Sequence, residues 1–251
     1  MDQPQVSGHL PDSSASGSCV VIVRTREDFT RWLLHPEPGA MLLQVEGLIT
    51  DPQGWALAAQ GTQPIPIDVV LGDPASEFSS LYRLVDVRNS RPVRVTIPAR
   101  TGFMKALRLA VSLGLPVRLL PGQPDPALLA ELHAAADFYL RDPMVEVPVE
   151  FFHSLLAAFF EPETATLWDF LEQYPQPDSS GDDSVPAHLA RIVANGGECA
   201  GCRWQAVCAG YFKDPDPTYD CTGVKQLFTA LEAAADEIKR DLNGGNTRTS
   251  P

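Results

Sequence analysis

Between Val93 and Phe160 the apolar pattern switches three times from a short strand-like run to a longer helical one, and this succession most limits the folds open to the chain. Val93 to Ile97 is strand-like, and Thr101 to Leu113 places Phe103, Met104, Leu107, Ala110 and Val111 at helical spacing. Pro116 to Leu120 reads as a second strand, followed by a helix that Asp125 and Pro126 begin and that runs to about Leu140. Met144 to Val147 reads as a third short strand before a helix from Val149 to Phe160. Parallel strands need crossover connections, usually helices, so the pattern predicts an α/β fold that forms part of a barrel or an open sheet.

The chain before Arg91 carries weaker signals. Cys19 to Val23 reads as a buried strand, and Thr25 with Asp28 three positions on offers a start for a helix over Glu27 to Leu34, ended by Pro36. Met41 to Ile49 and Ile65 to Leu71 read as two further strands, separated by a turn-rich stretch with Asp51-Pro52 and Gly54. Residues 1 to 18 are polar and rich in Ser and Gly, and are expected to be a disordered tail.

Composition narrows the function classes. With 19 Lys and Arg against 32 Asp and Glu the net charge is −13, which repels a polyanionic backbone and argues against non-specific nucleic-acid binding. The longest apolar run, Leu155 to Phe160, is far shorter than the roughly 20 residues of a membrane-spanning helix. No basic, apolar and small-residue succession opens the chain, so the expectation is a soluble, cytoplasmic protein. Its 23 prolines and 18 glycines break it into short elements and exclude a coiled coil.

After Trp168 to Tyr174 the pattern stops. The α/β domain is expected over 19–175, a polar acidic linker over 176–186, a small module over 187–242 and a polar tail over 243–251. Within the module a short helix, Ala187 to Ala194, precedes the cysteines. Val224, Leu227, Phe228, Leu231, Ala235, Ile238 and Leu242 then mark one face of a final amphipathic helix.

Four of the five cysteines lie in that module: Cys199 and Cys202, then Cys208, then Cys221, with two, five and twelve residues between them. A two-residue gap lets both thiolates of a tight turn face one centre, and Gly201 within it lets the backbone approach closely. Four thiolates complete either a cubane iron-sulfur cluster or a structural zinc site. Zinc sites usually bring two close pairs, whereas Cys208 and Cys221 stand alone, so the spacing favours [4Fe-4S]; zinc and unliganded buried thiols are the alternatives.

The stretch from Glu198 to Cys221, ECAGCRWQAVCAGYFKDPDPTYDC, resembles the SPASM domain of radical S-adenosylmethionine enzymes that mature ribosomally made peptides. Cys199, Cys202 and Cys208 match the first three cysteines of that domain's C-x2-C-x5-C-x3-C run, and Cys221 matches its later one. The resemblance implies that these four ligate one auxiliary [4Fe-4S] cluster. Phe212 stands where the pattern has another cysteine, and the only earlier cysteine is Cys19, so a second cluster is not expected. The C-x3-C-x2-C run that binds S-adenosylmethionine is absent for the same reason. What the resemblance implies is a partial (β/α) barrel-like domain followed by a SPASM-like iron-sulfur module. Its role would be accessory or catalytically degenerate, binding a precursor peptide or a radical SAM partner enzyme. The alternative is a zinc-binding interaction module without redox work.

Other candidates are weaker. Arg88, Arg91, Arg94, Arg100, Lys105 and Arg108 form a run without an intervening acid that could attract an acidic partner, although a solvated surface explains it as well. His133 and His153 lie on expected helices without a second histidine at metal spacing. Trp204, Tyr211, Phe212 and Tyr219 sit among the cysteines, where aromatic rings would keep water from a cluster or simply pack the loop.

Overall fold

A computed structural model describes residues 19–60, 65–161, 165–171 and 184–245. Contacts divide the chain into two compact units, one of Met1–Arg118 with Met144–Pro148, the other of Leu119–Pro143 with Val149–Pro251.

The first unit alternates strands and helices: β1 (Cys19–Val23), α1 (Arg26–Leu34), β2 (Ala40–Glu46), α2 (Pro52–Gln60), β3 (Ile67–Val70), α3 (Pro74–Glu77), a 3-10 turn (Phe78–Arg83), α4 (Leu84–Ser90), β4 (Val93–Pro98), α5 (Met104–Ser112) and the start of β5 (Val117–Leu120). The strands form a parallel sheet in the order β1-β2-β3-β4-β5. Every strand is therefore added on the same side of the one before it, and right-handed crossovers then lay the connecting helices on one face. The α/β class is as the sequence implies. Among the described residues the sheet is an open run of five strands, and closure into a barrel is not seen.

Register sorts the two faces. Leu43, Ile67 and Val93 lie side by side, as do Val45, Val69 and Val95, and all six are buried. The alternate positions Gln44, Asp68 and Arg94 point the other way, because successive side chains leave a strand on opposite faces. Asp68 is fully buried there and is held by Arg118 at 2.5 Å, Thr96 at 2.6 Å and Arg94 at 3.0 Å.

Pro66, Pro92 and Pro116 directly precede β3, β4 and β5, and Pro148 lies beside the start of β5. Leu43, Ile67, Val95 and Val117 donate their N–H groups to the carbonyls of Pro66, Pro92, Pro116 and Pro148, at 2.9 to 3.0 Å. A proline at the entry to a strand sacrifices no ladder donor while its carbonyl still accepts, which suits it to this position.

Two expectations are corrected. The turn-rich stretch around Asp51-Pro52 and Gly54 is the helix α2: Asp51 Oδ1 accepts the Gln53 N–H at 3.3 Å and Pro52 opens the first turn. Gly54 serves packing rather than a turn, since a Cβ there would stand 2.9 Å from Phe29 Cδ1, where Phe29 meets Trp55 edge-on at 4.9 Å. Met144 to Val147 is not a strand but turn and irregular chain, with Met144 70% exposed. Pro143 and Pro148 flank it and lack N–H groups, and the contact with the sheet is made by the Pro148 carbonyl.

The second unit contains α6 (Pro126–Arg141), α7 (Glu150–Phe160), α8 (Leu167–Leu171), α9 (Val185–Ala194), a 3-10 turn (Glu198–Gly201), α10 (Gln205–Cys208), a second 3-10 turn (Tyr211–Lys213) and α11 (Thr222–Gly245). Asp125 caps α6 by accepting the Leu128 N–H at 2.8 Å. Ser184 caps α9, which begins two residues before the expected Ala187 with Pro186 in its first turn. The long α11 packs on α7 and α6. Phe228 on its buried side meets Phe159 of α7 at 6.1 Å, Phe212 at 6.0 Å and Trp204 at 5.8 Å. No described helix is long and apolar enough to cross a membrane. The tail expected at 1–18, most of the expected linker and residues 246–251 lie outside the described residues.

Candidate metal centre

The four cysteines of the module enter from three short stretches of chain. Cys199 lies in the first 3-10 turn, Cys202 ends that turn, Cys208 closes α10, and Cys221 directly precedes α11. All four line one cavity of about 380 Å3, a volume that includes the solvent at its mouth, together with Trp204, Phe212, Val224, Lys225 and Phe228. Cys19 is in β1 of the other unit.

The local fold makes this convergence possible. After Cys208 the backbone turns through two left-handed residues, Ala209 at φ 45° and Gly210 at φ 76°. Gly210 is required twice over: its φ suits glycine, and a Cβ would meet Ile192 Cδ1 at 2.9 Å. Both carbonyls of the turn are held from other helices, Ala209 by the Trp168 indole N–H at 3.1 Å and Gly210 by His188 Nε2 at 3.2 Å. The loop that leads on to Cys221 is tied down by Gln123, whose amide nitrogen donates to Phe212 and Asp216 carbonyls at 3.1 and 2.8 Å. The Tyr219 hydroxyl donates to the Pro124 carbonyl at 2.6 Å.

Charge is arranged around the sulfurs. Glu198 binds Lys213 Nζ at 2.8 Å, pairs with Lys225, and accepts the Cys221 backbone N–H at 3.1 Å. Burial acts to raise the Glu198 carboxyl, but these three donors outweigh it and hold the group down at about 2. Lys213 is only 5% exposed and also donates to the Tyr219 carbonyl. Burial pushes the Cys208 thiol up to about 11, against the opposing pull of the Phe212 and Gly210 backbone N–H groups, and pushes Cys221 up to about 12. Cys199 is raised by burial as well. Thiolates in this cavity therefore need a compensating cation, and ligation would release their protons.

The donor set can be tested against the two inorganic groups. Among the described residues no group of three or more His, Cys, Asp or Glu side chains is placed so that it could hold a metal ion. Tetrahedral zinc at about 2.3 Å from each sulfur would draw four thiolates to about 3.8 Å of one another. A cubane separates its ligating sulfurs further than a single ion does. Trp204 adds a second observation: it lines the cavity, and its indole N–H is buried with no hydrogen-bond partner. Such a donor is costly to bury unless something accepts from it, and the sulfides of a cluster are acceptors.

The other sequence candidates fall elsewhere. The basic run does not form one patch: Arg94 pairs with Asp68, Arg100 donates to the Gly72 carbonyl at 2.9 Å, Arg88 donates to the Leu113 carbonyl, and Arg91 is buried at the end of α4. His153 Nδ1 meets the Tyr139 hydroxyl at 3.1 Å, and His133 lies within α6. Trp204 and Phe212 line the cavity, whereas Tyr211 packs on Trp168 at 5.0 Å. Sequence reasoning missed Glu198, Lys213 and Lys225. Lys225 had a legible signal, standing one helical turn after Cys221 at the start of α11.

Comparison of the chain with protein-family models, curated proteins and solved structures gives no match.

Proposed function

We propose that the second unit holds one [4Fe-4S] cluster on Cys199, Cys202, Cys208 and Cys221, and that the protein is an accessory, catalytically degenerate relative of the SPASM-bearing radical SAM proteins. The observation that carries the reading is the single cavity lined by all four cysteines and by Trp204, whose buried indole N–H has no hydrogen-bond partner. The sheet order supports the family likeness, because successive neighbouring strands are the order of an opened (β/α) barrel. With four protein thiolates a cluster has no open iron, so its chemistry is cross-linking and electron transfer rather than Lewis-acid catalysis. The role that follows is to present a precursor peptide, or to serve a radical SAM partner enzyme, in maturing a ribosomally made peptide.

Protein purified without oxygen should absorb broadly near about 400 nm and contain iron and sulfide at about four each per chain. One zinc per colourless chain would establish the interaction-module alternative instead. Cys208→Ala should abolish loading and lower the melting temperature of the second unit more than that of the first. The partner role is tested by mixing loaded protein with a radical SAM enzyme encoded beside it and with its precursor peptide. Absence of any complex would remove that part.

A further inference from the structure

The two edges of the sheet in the first unit differ. At β5 the Val117 N–H donates to the Pro148 carbonyl at 3.0 Å. Among the described residues β1 pairs with β2 alone. The Cys19 N–H donates to the Gly39 carbonyl at 2.9 Å and so points toward β2. Along a parallel strand the backbone groups of alternate residues face opposite neighbours, and the register shift beside Cys19 adds its extra residue, Met41, to β2 rather than to β1. The N–H and C=O groups of Val20 and Ile22 therefore face the outer edge. The strand reads Cys-Val-Val-Ile-Val, so its sequence holds no charge, proline or glycine that would blunt an edge. Val20 is 39% exposed, and the exposed Leu34 and Met41 lie at the end of the sheet where β1 begins, because α1 runs back to the start of β2. Exposed apolar residues gathered in this way mark an interaction surface.

We propose that β1 pairs antiparallel with β1 of a second copy of this chain, across a two-fold axis at Val21, joining the two sheets into one. In that register Val20 and Ile22 of each copy face Ile22 and Val20 of the other and exchange both hydrogen bonds, so every outward N–H and C=O of these residues is satisfied. Val21 meets its own counterpart across the axis as a non-hydrogen-bonded pair, with Cα atoms about 4.5 Å apart. A two-fold axis requires a patch that complements itself, and this one does: uncharged β-branched residues meet uncharged β-branched residues. No like charges meet on the contact strand, although each chain carries −13. Residues 1–18 lead directly into β1, but their sequence, with Pro4, Gly8, Pro11 and Gly17 among serines, offers no run of strand formers to lie on this edge. The second copy is the occupant that the strand's own sequence matches. Nothing in this inference depends on the metal centre.

Sedimentation of the full-length protein over a range of concentrations should show a monomer–dimer equilibrium that tightens as salt screens the charge of −13 on each copy. Val20→Lys puts a charge on the edge and should raise the dissociation constant at least about tenfold, with the unfolding midpoint of the monomer near the parent's. Val20→Thr keeps a β-branched, uncharged strand and should stay close to the parent. In a Cys19→Ser background, Val21→Cys should form a disulfide between copies on mild oxidation, since the separation across the axis suits one. Ile22→Cys, which faces Val20 of the other copy, should not. Hydrogen exchange at the Val20 and Ile22 amides should slow as the concentration rises. A chain that stays monomeric overturns the proposal; slow exchange of these amides in that monomer would give the edge to residues 1–18, and fast exchange would leave it open. A dimer that Val20→Lys does not weaken, or that cross-links through Ile22→Cys instead of Val21→Cys, has its contact elsewhere and overturns the proposal as well.

Discussion

The indole N–H of Trp168 donates to the carbonyl of Ala209 at 3.1 Å, and so pins from α8 the only non-glycine residue with positive φ among the described residues. Ala209 directly follows Cys208, so the bond fixes the direction in which the third sulfur enters the cavity. A strained left-handed alanine persists only where its surroundings determine it.

Trp168→Phe keeps the ring that packs on Tyr211 and His188 but removes the donor. Leaving the Ala209 carbonyl unpaired should cost about 1–3 kcal/mol. Denaturant unfolding of the second unit measures it, and an unchanged midpoint would show that the bond carries no weight.

Gly210→Ala forces a Cβ against Ile192 Cδ1 and the His188 ring in a backbone conformation that disfavours it. Strain and overpacking together should cost roughly 2–4 kcal/mol. Iron incorporation at a fixed reconstitution ratio should fall in step with thermal stability. Full loading with normal stability would contradict the packing described around this turn.

Asp68→Asn removes the charge that compensates Arg118 and Arg94 on the polar face of the sheet. Stripping one partner from a buried ion group typically costs about 3–5 kcal/mol. Equilibrium unfolding should show this loss in the first unit while the unfolding of the second unit stays at the parental value. A loss under about 1 kcal/mol would mean the group is open to water.

Gly54→Ala tests the helix that replaces the expected turn. The new methyl would press on Phe29, so the first unit should lose about 1–3 kcal/mol. Were Gly54 in a loop, the same change would be neutral or slightly stabilising. A rise in melting temperature would therefore restore the turn.

How much was legible follows from how far each signal reaches along the chain. The strands from Cys19 to Leu120 and the helices begun by Thr25 and Asp125 are local patterns, set by alternation, helical spacing and caps within a few residues. Asp51-Pro52 and Asp73-Pro74 carry the same helix-start signature as Asp125-Pro126. Met144 to Val147 misled because four apolar or acidic residues satisfy a strand pattern while the prolines on either side leave it few ladder donors.

The sequence by itself determined the α/β alternation, the parallel connections and the identity of the four candidate sulfurs, because each depends on residue type and short spacing. Tertiary structure alone decided what surrounds those sulfurs: Glu198 between Lys213 and Lys225, Trp204 in the cavity lining, and Trp168 and His188 on the turn after Cys208. It also placed Arg118 and Asp68, fifty positions apart, in one buried group. Periodicity records which side of an element is buried, but not which distant side chain will arrive there. That choice is made when whole helices and strands pack, and it fixes the charge around the candidate centre.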